Sequence, residues 1–299
     1  MSLTVGLEGG LGNRMRTAAA AAAIAPQISG HVVVLWAPQW GMECRFDQLF
    51  EPIVLENYEL RDATLTERLT AARPRQRNLF LPSITNRLFF RHVLYNEQVY
   101  PLFRDSFDFA AWANAGRSLI WTWLDFYPWE SQLLRQLFRP LPALRQRIDE
   151  RCAAFSAHTI GVHIRRTDHQ QAIEESPLEL FTAAIDHEAE LHPDLRIYLA
   201  TDDEATKKAL SDRYGDRILA SPAEATRESA DGIREALVEM LTLSGTKHIY
   251  GSAGSTFSPI AACMGKVPIT ILQRNGLGEI DLRCQDISPT KSISKVAHS

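Results

Sequence analysis

Apolar and polar positions divide the chain into two halves that read differently. In the carboxy-terminal half, short apolar runs alternate with amphipathic stretches at regular intervals. Residues 159–164 (Thr-Ile-Gly-Val-His-Ile), 195–200 (Leu-Arg-Ile-Tyr-Leu-Ala), 217–220, 247–250 and 267–272 have the length and apolar content of buried strands. The stretches 144–155, 177–191, 204–214, 229–244 and 256–264 have helical periodicity, with Pro177 suited to a first turn. Strand–helix alternation of this kind predicts a parallel sheet with helices on both faces. The amino-terminal half opens in the same way. A strand over 3–7, a glycine-rich turn, an alanine-rich helix over 14–25 and a strand over 31–35 make a βαβ start. From 40 to 140 the pattern becomes irregular, and only 119–123 (Leu-Ile-Trp-Thr-Trp) stands out as a strand. Phe138-Arg-Pro-Leu-Pro142 reads as a linker, because two prolines within three residues break helix and sheet alike. The expected domains are therefore 1–142 and 143–299.

Composition adds constraints. The chain has 299 residues, 45% of them hydrophobic, which is enough for two ordinary domains. Its net charge of -4 supplies no basic field for nucleic acid. Cys44, Cys152, Cys263 and Cys284 are scattered without a CxxC pair, which argues against a zinc site or a disulfide framework. The longest run of small apolar residues, 18–25, is far short of the ~20 that a membrane span needs. The expectation is a cytoplasmic protein without a membrane span.

The chemistry gathers where the predicted strands end. His163, Arg165, Arg166 and Asp168 crowd the carboxyl end of the strand over 159–164. Two adjacent arginines leaving a core strand are expensive to place for structure alone, because a buried guanidinium must be paired. Guanidinium forks match phosphate oxygens, so an anion site for a diphosphate is the sharper reading and an Arg–Asp ion pair the blander one. Gly251 to Ser258 (Gly-Ser-Ala-Gly-Ser-Thr-Phe-Ser) places small residues and hydroxyls at a helix amino terminus, a setting suited to phosphate. Asp202 and Asp203 end another strand and offer acceptors to hydroxyls or base edges; alternatively Thr201 or Asp202 caps the next helix. Glu239 lies among apolar neighbours in its helix and wants a donor, which a guanine edge supplies as two adjacent N–H groups. An exposed glutamate at the helix margin is the plainer alternative.

In the first turn, Gly9, Gly10 and Gly12 let the backbone approach a ligand, but the segment is not a dinucleotide fingerprint. Met15 stands where a third glycine or alanine belongs, and the second strand ends in Leu-Trp-Ala-Pro with no acid for a ribose. The basic run Arg73-Pro-Arg-Gln-Arg77, with Arg87 and Arg91 nearby, is either a solvated loop or an acceptor-binding or inter-domain patch. The aromatics Phe126, Tyr127 and Trp129 read as core first and as a stacking platform second.

Four motifs in order resemble the fucosyltransferase superfamily of α1,6-fucosyltransferases, the bacterial nodulation fucosyltransferase and protein O-fucosyltransferases. They are Gly9-Gly-Leu-Gly-Asn13, His163-Ile-Arg-Arg-Thr-Asp168, Ala200-Thr-Asp-Asp203 and Ser255-Thr-Phe-Ser258. The resemblance implies an α/β GT-B fold, two Rossmann-like domains facing each other across a cleft. The amino-terminal domain would be the acceptor side and the carboxy-terminal domain the nucleotide-sugar donor side. It implies GDP-fucose as donor, a glycan or other hydroxyl acceptor, inversion at the anomeric carbon, and no metal or other cofactor. By position, Arg165 would bind the β-phosphate with Arg166 assisting, and His163 and Glu239 would lie near guanine, although the family usually has Asp at the latter point. Asp202 and Asp203 would hold the nucleoside or order the loop, and Ser252, Gly254, Ser255 and Thr256 would wrap the diphosphate. Gly10, Gly12 and Asn13 would reach toward the phosphate and the sugar. The expected catalytic residues are Arg165, Asn13 and, as base, Glu174; Glu175 stands near the same point, and Glu8 and Asp168 are rivals. Two other readings stay open: a transferase of this architecture using another nucleotide sugar, and a nucleotide-sugar-binding protein without turnover.

Overall fold

The computed structural model describes residues 2–38, 42–167, 169–221, 229–274, 276–278 and 282–286. The chain forms two compact units. The first comprises Met1–Leu141 with Arg227–Ile233 and Arg283–Gln285; the second comprises Pro142–Thr226, Arg234–Leu282 and Asp286–Ser299.

The first unit runs β1 (Ser2–Leu7), α1 (Leu11–Ile24), β2 (His31–Trp36), β3 (Tyr58–Asp62), α2 (Leu65–Thr70), α3 (Pro82–Phe89), β4 (His92–Tyr95), α4 (Asn96–Arg104), α5 (Phe109–Asn114), β5 (Arg117–Thr122) and α6 (Ser131–Leu137). Its five strands are parallel in the order β3-β2-β1-β5-β4. The irregular middle of the sequence thus contributes β3 and β4 at the two edges. Both are short and half-buried, so neither shows the continuous apolar run of a central strand. Gly6 is required where it stands: it pairs with Trp121, and a Cβ there would come within 1.8 Å of the indole.

Helix α1 begins at Leu11, three residues before the expected start, so Gly12 and Asn13 lie in its first turn. It is buried nearly all round, which the small side chains Ala18 to Ala22 permit. The two arginines it also buries are both held. Arg14 Nε donates to the carbonyl of Gly9 at 2.9 Å and its guanidinium lies 5.2 Å from the Trp36 ring centroid. Arg16 Nε donates to Trp123 O at 2.9 Å and pairs with Asp125 at 3.6 Å. Trp129 and Phe126 are core, as expected; Trp129 Nε1 donates to Asp125 Oδ2 at 3.1 Å. None of the four cysteines is in a disulfide among the described residues.

The second unit runs α7 (Pro142–Cys152), β6 (Thr159–Ile164), α8 (Gln170–Glu175), α9 (Leu178–Leu191), β7 (Arg196–Thr201), α10 (Glu204–Tyr214), β8 (Ile218–Ala220), α11 (Ala230–Leu243), β9 (Ile249–Ser252), α12 (Phe257–Gly265), β10 (Ile269–Gln273) and β11 (Gly276–Leu277). The sheet order is β11-β10-β9-β6-β7-β8. All neighbours are parallel except β11, which returns antiparallel along β10 as an edge strand that sequence periodicity did not suggest. Every residue of β6 is buried, because helices cover both faces; Val162, Ile164, Phe181, Ile185, Ile197 and Leu199 belong to one apolar cluster. Pro177 is the residue before the first turn of α9, not in it. Helix α8 was not expected.

Candidate functional site

In the second unit β6 is flanked by β7 on one side and β9 on the other. The chain therefore leaves β6 in one direction and later returns on its other side, a topological switch point. Open α/β sheets bind ligands in the crevice outside the carboxyl ends at such points. The residues there are those the sequence singled out: His163, Arg165 and Arg166 after β6, Asp202 and Asp203 after β7, and Ser252 to Thr256 after β9.

Asp202 organises the loop after β6. Its Oδ1 accepts from the Arg166 amide at 2.7 Å. Its Oδ2 accepts from the Thr167 hydroxyl at 2.7 Å and lies 3.2 Å from Arg165 Nε. The blander Arg–Asp pairing is therefore present, and it fixes the direction of the Arg165 side chain, whose exposure is 15%. The Arg165 amide donates to Ser252 Oγ at 3.1 Å, and that hydroxyl donates to His163 O at 3.3 Å. Ser252 is wholly buried and stitches the ends of β6 and β9 together.

Arg166 points elsewhere. Its guanidinium donates to Ser176 O at 2.8 Å and Ile173 O at 3.4 Å, closing the carboxyl end of α8. Burial is the main influence lowering its pKa. Asp203, not Thr201 or Asp202, caps the following helix: its Oδ2 accepts from the Thr206 amide at 2.7 Å and hydroxyl at 2.6 Å. Those bonds lower its pKa.

The loop after β9 is tightly shaped. Ser176 Oγ accepts from the Ala253 amide at 2.8 Å and donates to Leu272 O at 2.6 Å. Gly254 has φ +69°, and a Cβ there would lie 2.7 Å from both Gln171 Oε1 and His169 Cε1. Only glycine meets both conditions. Ser255 Oγ accepts from the Phe257 amide at 3.4 Å, and Thr256 precedes α12 with no side-chain cap bond. The first turn of α12 thus offers its amides and its positive dipole end at this edge. His163 stacks on Phe257 with centroids 4.7 Å apart, and its Nδ1 lies 3.3 Å from Ser258 Oγ. Burial, with Arg165 adding to it, pushes the imidazole down to about 3, so it is neutral and acts through shape and hydrogen bonding.

Glu239 on α11 is 7% exposed, which excludes the surface reading. Nearby Arg151 and Arg147 are taken by Glu235, whose Oε1 lies 2.6 Å from Arg151 Nη2 and also accepts from Ser221 Oγ at 2.5 Å. Among the described residues no hydrogen bond satisfies Glu239. Burial first, and the charge of Glu235 second, push its carboxyl up to about 8. Glu235 was not foreseen, although its place one helical turn before Glu239 was visible in the sequence.

Glu174 is exposed on α8 and accepts from Gln170 Nε2 at 2.8 Å. Glu175 accepts from Gln171 Nε2 at 3.2 Å through Oε1, while its Oε2 is buried without a hydrogen-bond partner among the described residues. Asp168 lies outside the described residues.

Gly10, Gly12 and Asn13 belong to the first unit, at the carboxyl end of β1. Gly9 there has φ +80°, and a Cβ on it would meet Asn13 Nδ2 at 2.8 Å. Among the described residues Asn13 Oδ1 is buried without a hydrogen-bond partner, as is Arg14 Nη1. Burial lowers the Arg14 guanidinium to about 9, and Asp62 opposes that shift. Glu8 is buried, pairs with Arg75 and accepts from Asn96 Nδ2 at 3.0 Å. Of the basic run, Arg73 pairs with Glu97; Arg73 and Arg75 line a cavity of about 250 Å³ together with Arg68, Leu65, Leu69 and Trp121.

No family model matches the sequence. Solved structures do match. The NodZ α-1,6-fucosyltransferase co-crystallized with GDP is 21% identical over 94% of this chain and 98% of that one, with a TM-score of 0.65. The fold is the one the solved fucosyltransferases share. A mutant of Arabidopsis thaliana FUT1 in complex with GDP matches at 16% identity over 90% of this chain and 70% of that one, TM-score 0.60. POFUT1 in complex with GDP matches at 10% identity, 91% and 97% coverage and TM-score 0.56. The α/β architecture of two Rossmann-like units, expected from the motif resemblance, is thereby established. No helix among the described residues is long and apolar enough to cross a membrane.

Proposed function

We propose that this protein is a glycosyltransferase that moves fucose from GDP-fucose to a hydroxyl of a glycan or similar acceptor, with inversion and without a metal. The observation that carries the reading is the switch point of the second unit. There Asp202 orients Arg165 beside the Gly251–Thr256 loop and the amino terminus of α12, and Glu239 waits buried on α11. Fucosyltransferases of this fold have been solved with GDP, and one was soaked with GDP-fucose.

The proposed chemistry follows from charge. Cleaving the sugar–phosphate bond leaves a diphosphate whose negative charge grows in the transition state. Arg165 and the amides of the Ser255–Thr256 turn are fixed before the reaction and stabilise that charge without reorganising. Arg166 and Ser252 act one step back, holding the loop and strand ends on which Arg165 and Gly254 depend. Glu239 accepts from the guanine edge. The acceptor hydroxyl attacks from the opposite face, and a carboxylate takes its proton. Glu174 is the proposed base, since Glu8 is already paired with Arg75 and Asn96.

Calorimetry with GDP-fucose, GDP-mannose and UDP-sugars tests the donor. Preference for a UDP-sugar would replace GDP-fucose in this reading. Release of GDP in the presence of an acceptor library separates a transferase from a protein that only binds the donor.

A further inference from the structure

Helix α3 in the first unit is amphipathic the wrong way round for a globular surface. Its inward positions are Pro82 and Asn86, one turn apart and buried. Asn86 Nδ2 donates to Tyr95 Oη at 2.8 Å and to Ala72 O at 3.3 Å. Its outward positions Leu81, Ile84 and Leu88 recur at helical spacing, with Ile84 64% and Leu88 74% exposed. Phe89 beside them is also exposed. Just before the helix, Leu79 and Phe80 both have positive φ, +52° and +54°, a backbone that bulky residues rarely adopt. It holds Leu79 at 78% exposure. Eight of the thirteen large apolar side chains that stand exposed among the described residues fall between Leu65 and Phe89, so they are concentrated in one stretch of the chain and not scattered along it.

Charge surrounds the same patch. Between Glu67 and Glu97 there is no acidic residue and there are six arginines, in a chain whose net charge is -4. Arg68, Arg87 and Arg91 are exposed. Side chains that protrude this far suit a medium that deforms around them, whereas a peptide partner needs a groove for its own side chains. Arg73 and Arg75 are paired with Glu97 and Glu8, but leucine, isoleucine and phenylalanine on one face with the exposed Arg68, Arg87 and Arg91 in the same stretch is the composition of an interfacial helix that sits among anionic head groups.

We propose that the Leu79–Phe89 segment docks this protein peripherally on an anionic lipid surface. The apolar ridge enters the head-group region, and Arg68, Arg87 and Arg91 meet lipid phosphates. The proposal stands independently of the sugar donor. The test is sedimentation of the whole protein with vesicles of phosphatidylcholine alone and of phosphatidylcholine mixed with phosphatidylglycerol. Binding is expected only to the mixed vesicles and weakens as salt rises from about 0.05 to 0.5 M. Ile84→Glu with Leu88→Glu should weaken it by about tenfold or more, with an unchanged melting temperature. Arg87→Glu with Arg91→Glu, which leaves the ridge intact, should weaken it similarly and covers the case in which the first variant fails to fold. Protein that stays in the supernatant with both vesicles overturns the proposal, as does binding that survives both double variants. A dimer in sedimentation velocity that the Ile84→Glu, Leu88→Glu variant dissolves, without vesicle binding, would assign the face to a second copy of the chain instead.

Discussion

If Glu239 receives the guanine edge, donor binding must be coupled to loss of a proton. Burial holds the carboxyl at about 8, so at pH 7 Glu239 is mostly protonated. The guanine N1–H and N2–H groups need a carboxylate to accept them both. Ionising the group before binding costs about 1.4 kcal/mol at pH 7, a tenfold loss of affinity. The sign follows directly: affinity falls by about tenfold for each pH unit below 8 and levels off above it. From pH 6 to 8.5 the dissociation constant should tighten by roughly 50- to 100-fold. GDP-fucose is the right probe, because its diphosphate is esterified at both ends and carries no titrating proton in this range. His163, pushed down to about 3, does not titrate there either.

The same shift fixes the effect on stability. A carboxyl raised from 4.5 to about 8 favours folding in acid, and its penalty grows as pH rises from 4.5 until the folded-state value is passed. At pH 7 that penalty is roughly 3 kcal/mol, before allowing for the cost of burying the replacement. Glu239→Gln should therefore melt higher than wild type at pH 7 without ligand, bind GDP-fucose more weakly, and lose the pH dependence. Calorimetry in buffers of different ionisation enthalpy reads the proton release, expected to approach about one per donor at pH 7. A dissociation constant that is flat from pH 6 to 8.5 with no proton released would refute the assignment of Glu239 to the base.

Four further outcomes are expected. Arg165→Ala should lose donor affinity by at least about tenfold, or ~1.4 kcal/mol, by titration calorimetry; unchanged affinity for GDP would remove Arg165 from the phosphate site. Asp203→Ala should cost about 1 kcal/mol in denaturant unfolding by uncapping α10, with a smaller effect on donor affinity than Arg165→Ala; the reverse ranking would make Asp203 a ligand contact. Gly254→Ala should destabilise by about 1–2 kcal/mol and weaken GDP binding, because the left-handed backbone and the contact with Gln171 and His169 are both unfavourable to a methyl group. A chelator should leave fucose transfer intact; activity that is lost and then restored by Mg²⁺ or Mn²⁺ would overturn the metal-free mechanism.

The sequence made the second unit legible because its central strands are buried on both faces and so appear as unbroken apolar runs. The order of β6, β7 and β9 and the polar clusters at their ends could be read directly. The edge strands could not: β3 and β4 are short and half-buried, and β11 has two residues. The division of labour among adjacent polar residues was also hidden. Arg165 and Arg166 look equivalent in one dimension, but consecutive residues project in different directions, and only Arg166 meets the end of α8. Asp202 and Asp203 divide in the same way, one to the loop and one to the cap. Glu239 was ambiguous because helical spacing gives a face but not what covers it. Its neighbour Glu235 takes both nearby arginines, and that competition leaves burial, the larger influence, and the charge of Glu235 to raise its pKa.

That competition bears on how the site is built. A guanidinium left loose at a sheet edge would have to be ordered on binding, at a cost in side-chain entropy. Here Asp202 bears that role beforehand: four donors from the β6 loop, the Arg166 and Thr167 amides, the Thr167 hydroxyl and Arg165 Nε, converge on one carboxylate. The arrangement holds Arg165 but also shares its charge, which would weaken its pull on the ground-state diphosphate of the proposed donor. A transferring enzyme gains from that balance, since what accelerates the reaction is the extra stabilisation that develops as the leaving group gathers charge. Glu239 differs: it is buried, its neighbouring arginines are taken by Glu235, and on the proposed reading the ligand would supply its partner. On the proposed reading, the rigid, pre-paired end of the site would face the bond that breaks, and the buried carboxyl would select the guanine.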